Sequence, residues 1–316
     1  MNLLRIRLFG GLQLWRGDEL LPAFPTQRAR SLFAFLSVNR TRMHARELVV
    51  GHLWGNDADA ADRKALRMAL WRVRTVVDPP AGTTDRSPLQ VTNTQVGLDR
   101  EAGCWLDIEE FEQTLLPLER KPDAELDDFD AQRLRRAIDL YRGDLLEDMF
   151  DEWCLYERER LRLLYHCALE RLMRFEQERG AWGAAIVLGQ RLLSLDPIME
   201  QVHRELMICY LRRGSRGAAL RQFESCAEVL RTELEVEPMR ETIELYQRIR
   251  DGGDAPEPME PQPAIVLERM DRALDTLGGL VGQIQEARAR LLRPETDLSP
   301  QRFRAAALVE APPGRT

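Results

Sequence analysis

Arg63, Lys64, Arg67, Arg72 and Arg74 fall within one short segment, with Met68 and Trp71 between them. Guanidinium groups donate in pairs to phosphate oxygens and to the O6/N7 edge of guanine. Such a cluster can therefore grip a nucleic-acid backbone and read bases. The same segment carries Leu66, Leu70, Val73 and Val77 at steps of three or four, the period of a helix with one buried face. A helix held down by that stripe turns its cations outward, as a major-groove reader must. A surface helix with solvated arginines has the same pattern, so charge elsewhere in the chain becomes informative.

That charge is segregated. The 316 residues carry a net charge of −7, which taken alone argues against a nucleic-acid partner. Yet the first 100 residues hold 15 Lys/Arg against 9 Asp/Glu, and the remainder holds 30 against 43. Salt screens charges beyond roughly 10 Å, so the local field matters more than the sum. A basic N-terminal third on an acidic remainder suggests one domain facing DNA and another facing something else.

The composition, 44% hydrophobic and 31% charged, is that of a globular chain of two or three domains. No run of eighteen apolar residues occurs, and residues 1–7 alternate like a strand without a signal-peptide core. A cytoplasmic protein with no membrane partner is expected. Cys104, Cys154, Cys167, Cys209 and Cys226 are scattered, odd in number and free of CxxC, which favours reduced thiols over zinc or disulfides.

His44, His52, His166 and His203 form no HExxH pair and no zinc spacing with cysteine. Glu200 and His203 share a helix face, and the reading preferred is a solvated surface. The acidic run 125–130 lacks a calcium loop and reads as a helix N-terminus, where carboxylates complement the dipole. No GxxxxGK[ST] is present. The expectation is no catalytic residue, no metal, no cofactor and no enzyme.

Residues 3–9 and 12–15 alternate as strands around Gly10 and Gly11. A helix is expected over 26–38, burying Ala29, Leu32, Phe33 and Leu36, and a short helix over 44–54. Residues 89–98 form a hairpin with Thr92, Asn93 and Thr94 at its tip. Strands, three helices and a closing hairpin make a winged helix over residues 1–100, the hairpin being the wing. From Trp105 to about Arg250 the pattern is helical, with helices over 131–141, 152–179, 181–195, 198–213, 215–234 and 239–249. Gly180-Ala181-Trp182-Gly183-Ala184-Ala185 resembles Gly214-Ser215-Arg216-Gly217-Ala218-Ala219, 34 residues on, which is the period of tetratricopeptide-type repeats.

The expected fold class is therefore mainly α: an α+β winged helix, then an all-α tetratricopeptide-like domain over 104–250. Residues 251–263 read as a linker and 294–316 as a disordered tail. A helix over 264–293 has an apolar seam that suits either a second copy or the chain's own surface.

Several stretches in this order match a known layout. They are Leu8-Phe9-Gly10-Gly11-Leu12-Gln13-Leu14, Gln27-Arg28-Ala29-Arg30, Leu53-Trp54-Gly55, residues 65–74, Asp107-Ile108-Glu109-Glu110-Phe111-Glu112 and Leu140-Tyr141-Arg142-Gly143-Asp144-Leu145-Leu146. Over about residues 3–250 the chain resembles the bacterial transcriptional activators that include the antibiotic regulatory proteins (SARPs). The resemblance implies binding to direct repeats near promoters and recruitment of RNA polymerase, with the second domain aiding contacts and dimerisation. It implies that Arg67, Trp71, Arg72 and Arg74 face DNA while Arg63 and Lys64 meet phosphates. Two departures stand out. The wing tip has no arginine, which weakens its case for minor-groove insertion. Trp71 occupies a place where a smaller or polar residue is common, and it suits either a thymine methyl or the domain surface.

The expected function is sequence-specific DNA-binding transcriptional regulation, read as activation. The expected partners are double-stranded DNA, RNA polymerase, a second copy, and an unnamed small-molecule or protein effector. The DNA-facing set is Arg63, Lys64, Arg67, Met68, Trp71, Arg72, Arg74, Thr92, Asn93 and Thr94. The alternative is a scaffold whose repeats bind a partner and whose winged helix contacts protein.

Overall fold

The computed structural model describes residues 3–54, 60–80, 86–99 and 102–253. All lie in the first of two units, Met1–Val266. The expected helix over 264–293 and the tail over 294–316 lie outside the described residues, as does most of the 251–263 linker.

Alternation builds the N-terminal sheet. In β1 (Leu4–Arg7), Leu4 and Ile6 turn inward and Arg5 outward. It pairs antiparallel with β2 (Gln13–Arg16), Ile6 facing Leu14, and β3 (Glu19–Leu20) adds to β2. The other edge is covered by a strand from far along the chain. Parallel neighbours require a long crossover, and here the whole three-helix region separates β1 from its partner, β7 (Cys104–Leu106). Helix had been expected from Trp105. Three residues are too few to show a strand period, and their partner lies about 100 residues upstream, so extended structure here is imposed by pairing.

Helix α1 (Gln27–Val38) starts where the Thr26 hydroxyl accepts the Ala29 N–H at 3.3 Å, an N-cap. Its Ala29, Leu32, Phe33 and Leu36 are buried as the period required. His44 and Ala45, expected as helix, form β4 (His44–Ala45) instead, and α2 (Arg46–Trp54) follows. Helix α3 (Ala60–Val77) leads to β5 (Leu89–Val91) and β6 (Gln95–Leu98). A three-stranded sheet of order β4-β6-β5 results, in which His44 pairs with Val96. Three helices plus this hairpin are the winged helix expected.

The remaining described elements are helices. They are α4 (Asp107–Leu115), α5 (Asp128–Leu140), α6 (Glu152–Glu178), α7 (Trp182–Leu195), α8 (Glu200–Arg212), α9 (Arg216–Leu234) and α10 (Arg240–Arg250). The acidic run does start a helix: Asp127 and Asp130 of α5 form a capping box, each carboxylate accepting the other's backbone N–H. The 34-residue similarity is structural. Helices α6 and α8 both end in a left-handed glycine, Gly180 (φ 69°) and Gly214 (φ 76°). The next N–H in each case returns to the last turn, Ala181 to Glu176 O and Ser215 to Tyr210 O, both at 2.8 Å.

Between the repeats lies a correction. The Glu200–His203 face is buried, not solvated. Glu200 accepts from the Met239 N–H at 2.7 Å and from the Thr242 hydroxyl, tying α8 to α10. His203 Nε2 lies 3.0 Å from Pro197 O, and the Gln222 amide 2.7 Å from Nδ1. Donation from Gln222 to Nδ1 and from Nε2–H to Pro197 O requires a neutral ring. Burial pushes the His203 pKa below its ordinary 6.5, against the smaller opposing pull of those hydrogen bonds and Glu200. A base depressed in the folded state makes the unfolded chain take up the proton first. Stability should therefore fall as pH drops below about 6.5, and His203→Gln should flatten that decline. Melting curves between about pH 7.5 and 5.5 check this, and a parallel decline in both proteins would count against it.

One apolar core runs from the winged helix into the helices, joining Ile6, Leu8, Phe33, Leu66, Phe111 and Leu134. Phe9 meets Phe111 edge-on at 5.2 Å and Tyr141 at 4.7 Å, and Tyr141 stacks on Tyr165 at 4.0 Å. Around it, Arg40 reaches Glu109 at 3.3 Å and Glu112 at 3.0 Å, while Arg160 takes the other oxygen of Glu112. Arg30 pairs with Asp148. Asp107, at the first position of α4, accepts the N–H groups of Leu8 and Phe9. The winged helix is thus locked to α4–α6.

Candidate nucleic-acid interface

Helix α3 is anchored along one face. Leu66, Ala69, Leu70, Val73, Val76 and Val77 are all buried, and Arg16 donates to Val77 O at 2.7 Å, capping the C-terminal end. At about 100° per residue those six occupy one side, and Arg63, Arg67, Trp71 and Arg74 fall within roughly 80° on the other. Lys64 and Met68 widen that face. Arg63, Lys64, Arg67 and Arg74 are exposed, and among the described residues no carboxylate pairs with them. Along the axis the four cations cover about 16 Å, about three turns of the helix.

Trp71 is 60% exposed and Met68 43%. An indole that open is not filling the domain surface. Arg72 departs from the others: it is half-buried, and its Nη1 lies 3.5 Å from the Thr26 hydroxyl at the start of α1. The structure therefore groups Arg63, Lys64, Arg67, Met68, Trp71 and Arg74 on one face and sets Arg72 at its margin.

The wing tip is compact. Thr92 N–H donates to Gln95 O at 2.9 Å, and Gln95 N–H donates to the Thr92 hydroxyl at 2.9 Å. Thr92, Asn93 and Thr94 are exposed, offering hydroxyls and an amide without charge. Arg46 was not foreseen. Its backbone N–H donates to Thr94 O at 3.0 Å and its Nη1 lies 3.5 Å from Asn93 O, so α2 holds the tip. No local pattern marks Arg46, because its partner segment lies 47 residues further along the chain. Gly97 in β6 lies against Met43, 2.7 Å from where a Cβ would sit, so a side chain there would push wing and β4 apart.

Elsewhere the chemistry is quiet. All five cysteines are free. Burial pushes the Cys104, Cys154 and Cys226 thiols up to about 11 and Cys167 to about 12, which suppresses the nucleophilic thiolate. Among the described residues no group of His, Cys, Asp and Glu could hold a metal ion, and no helix is long and apolar enough to cross a membrane.

The described residues thus join a winged helix that presents a cationic helix to a helical-repeat domain. Residues 106–250 match the model of the bacterial transcriptional activator domain. Regulatory protein AfsR of Streptomyces coelicolor is 26% identical over 253 residues, which cover 80% of this chain and 25% of AfsR. Regulatory protein DnrI of Streptomyces peucetius is 25% identical over 221 residues, covering 67% of this chain and 79% of DnrI. The chain thus spans about a quarter of AfsR and most of DnrI. Among solved structures, Mycobacterium tuberculosis EmbR, in complex with a low-affinity phosphopeptide, superposes with a TM-score of 0.60. That match has 20% identity and covers 89% of this chain and 71% of EmbR, a likeness of fold. The resemblance to SARP-type regulators is borne out.

Proposed function

We propose that this protein is a sequence-specific DNA-binding transcriptional activator. In this reading residues 1–100 face DNA and residues 104–250 contact RNA polymerase or an effector. The observation that carries it is the outer face of α3, where Arg63, Lys64, Arg67 and Arg74 stand exposed with no described carboxylate partner beside an open Trp71. Unpaired guanidiniums on a rigid, half-buried helix suit phosphates and guanine edges, and Trp71 suits a thymine methyl or sugar. The match of the helical half to the bacterial transcriptional activator domain and the similarity to regulatory proteins support the same reading. Self-association through residues 264–293 is part of the proposal.

Binding to duplex from the gene's own upstream region, followed by fluorescence anisotropy across salt, tests it. The log–log slope should correspond to several phosphate contacts, at roughly 0.9 per contact. Flat salt dependence, with no preference over unrelated duplex, would favour the scaffold alternative. The wing makes a separate prediction. Changing Thr92, Asn93 and Thr94 together to alanine removes neutral contacts but no charge. Affinity should fall by about 150-fold at most, three lost neutral hydrogen bonds being worth about 3 kcal/mol or less together, with the slope unchanged. A steeply altered slope would show that the tip positions cations.

A further inference from the structure

Three further arginines, away from α3, line a cavity of about 390 Å³. Arg5 and Arg7 enter it from β1, Arg142 from the turn after α5, and Trp105 and Leu140 wall it. Arg5 and Arg142 are exposed, and Arg7 is half-buried with its guanidinium 4.5 Å over the Trp15 ring. Among the described residues none of the three forms an ion pair. The acid lining the cavity, Asp107, is 3% exposed and already accepts the N–H groups of Leu8, Phe9 and Ile108.

Crowding three cations around one carboxylate that is already committed to backbone N–H groups costs stability, so the arrangement invites a further anion. Burial, followed by repulsion from Arg142, pushes the Arg7 pKa down; Asp107 opposes this and Arg5 adds to it. We propose that this cavity binds a small organic phosphate. A phosphate monoester supplies close to two negative charges and three acceptor oxygens, which suit three guanidinium forks better than a single carboxylate does. Trp105 and Leu140 would cover the organic part, and the volume lies in the range of small-ligand sites. The walls come from the winged-helix sheet, from β7 and from α5. Occupancy would therefore tighten the junction between the DNA-facing half and the helical half. The site does not depend on α3 binding DNA.

The test uses the full chain with phenyl phosphate as probe, inorganic phosphate as the bare anion, and potassium chloride at matched ionic strength. Calorimetry should show saturable binding of phenyl phosphate, tighter than inorganic phosphate. It should weaken about tenfold or more in Arg5→Gln and in Arg142→Gln, and not in Arg231→Gln on the distant α9 surface. Without ligand, Arg142→Gln should melt no lower than the parent, because it relieves repulsion. The proposal is overturned if neither phosphate probe saturates, or if all variants bind alike. It is also overturned if Arg142→Gln lowers the unliganded melting temperature, which would make the arginine structural. Loss of duplex affinity in Arg5→Gln and Arg142→Gln, without phenyl phosphate binding, would assign the cavity to DNA instead.

Discussion

Replacing Arg63, Arg67 and Arg74 together with glutamine should abolish specific duplex binding while leaving the melting temperature unchanged. The three side chains are exposed and have no described ion-pair partner, so nothing in the fold depends on their charge. Surface substitutions of that kind usually move stability by less than about 0.5 kcal/mol. Their effect on binding is of another order. If all three meet phosphates, the log–log salt slope should flatten by about 2.7. Any that reads a base edge adds about 1–3 kcal/mol of lost discrimination, so the specific affinity should fall by roughly a hundredfold or more. Anisotropy titrations at several salt concentrations read both quantities. An unchanged slope would remove α3 from the interface. Arg72 serves as the internal contrast: half-buried beside Thr26, it should contribute to stability as well as to binding when changed to alanine.

The second large effect is on stability. Asp107→Ala should lower the melting temperature by about 10 °C. The carboxylate is buried and receives Leu8 N–H at 2.9 Å, Phe9 N–H at 3.0 Å and Ile108 N–H at 2.8 Å. Alanine leaves the first two donors facing an apolar core, next to Phe111 and Tyr141. Each buried donor left unsatisfied costs about 1–3 kcal/mol, and 1 kcal/mol moves the melting point of a unit this size by roughly 2–4 °C. Asp107→Asn keeps one acceptor oxygen and should fall between the two. Because the residue joins β1 to α4, the unfolding of sheet and helices should stay cooperative in the parent. A melting temperature within about 2 °C of the parent for Asp107→Ala would mean that the N–H groups find other acceptors.

The legible parts of this protein are those written in local periods. Leu66, Leu70, Val73 and Val77 recur at helical spacing, so the buried face of α3, and with it the outward face, follows from the chain alone. The glycines at 180 and 214 announce their turns because only a left-handed residue ends those helices cheaply. The illegible parts are pairings between distant segments. Residues 104–106 and 44–45 are too short to show alternation, and they are strands because β1 and β6 offer them unpaired backbone groups. Glu200 and His203 look like surface residues by type. They are buried because α10 folds back over α8 and supplies Met239 N–H and the Thr242 hydroxyl to satisfy the carboxylate.

The sequence by itself determined the order of modules, the charge split and the cationic helix, since all three depend on residue type at short spacing. Tertiary structure alone decided which arginines stand free. Arg72 belongs to the same run as its neighbours, but α1 packs against it. Arg46 is claimed by the wing, and Arg40 by Glu109 and Glu112. It also decided that Arg5 and Arg7 share one cavity with Arg142, which lies more than 130 residues further along the chain. The physical reason is the same in each case. A charge is defined by the groups that fold against it, and those groups come from parts of the chain that local spacing does not connect.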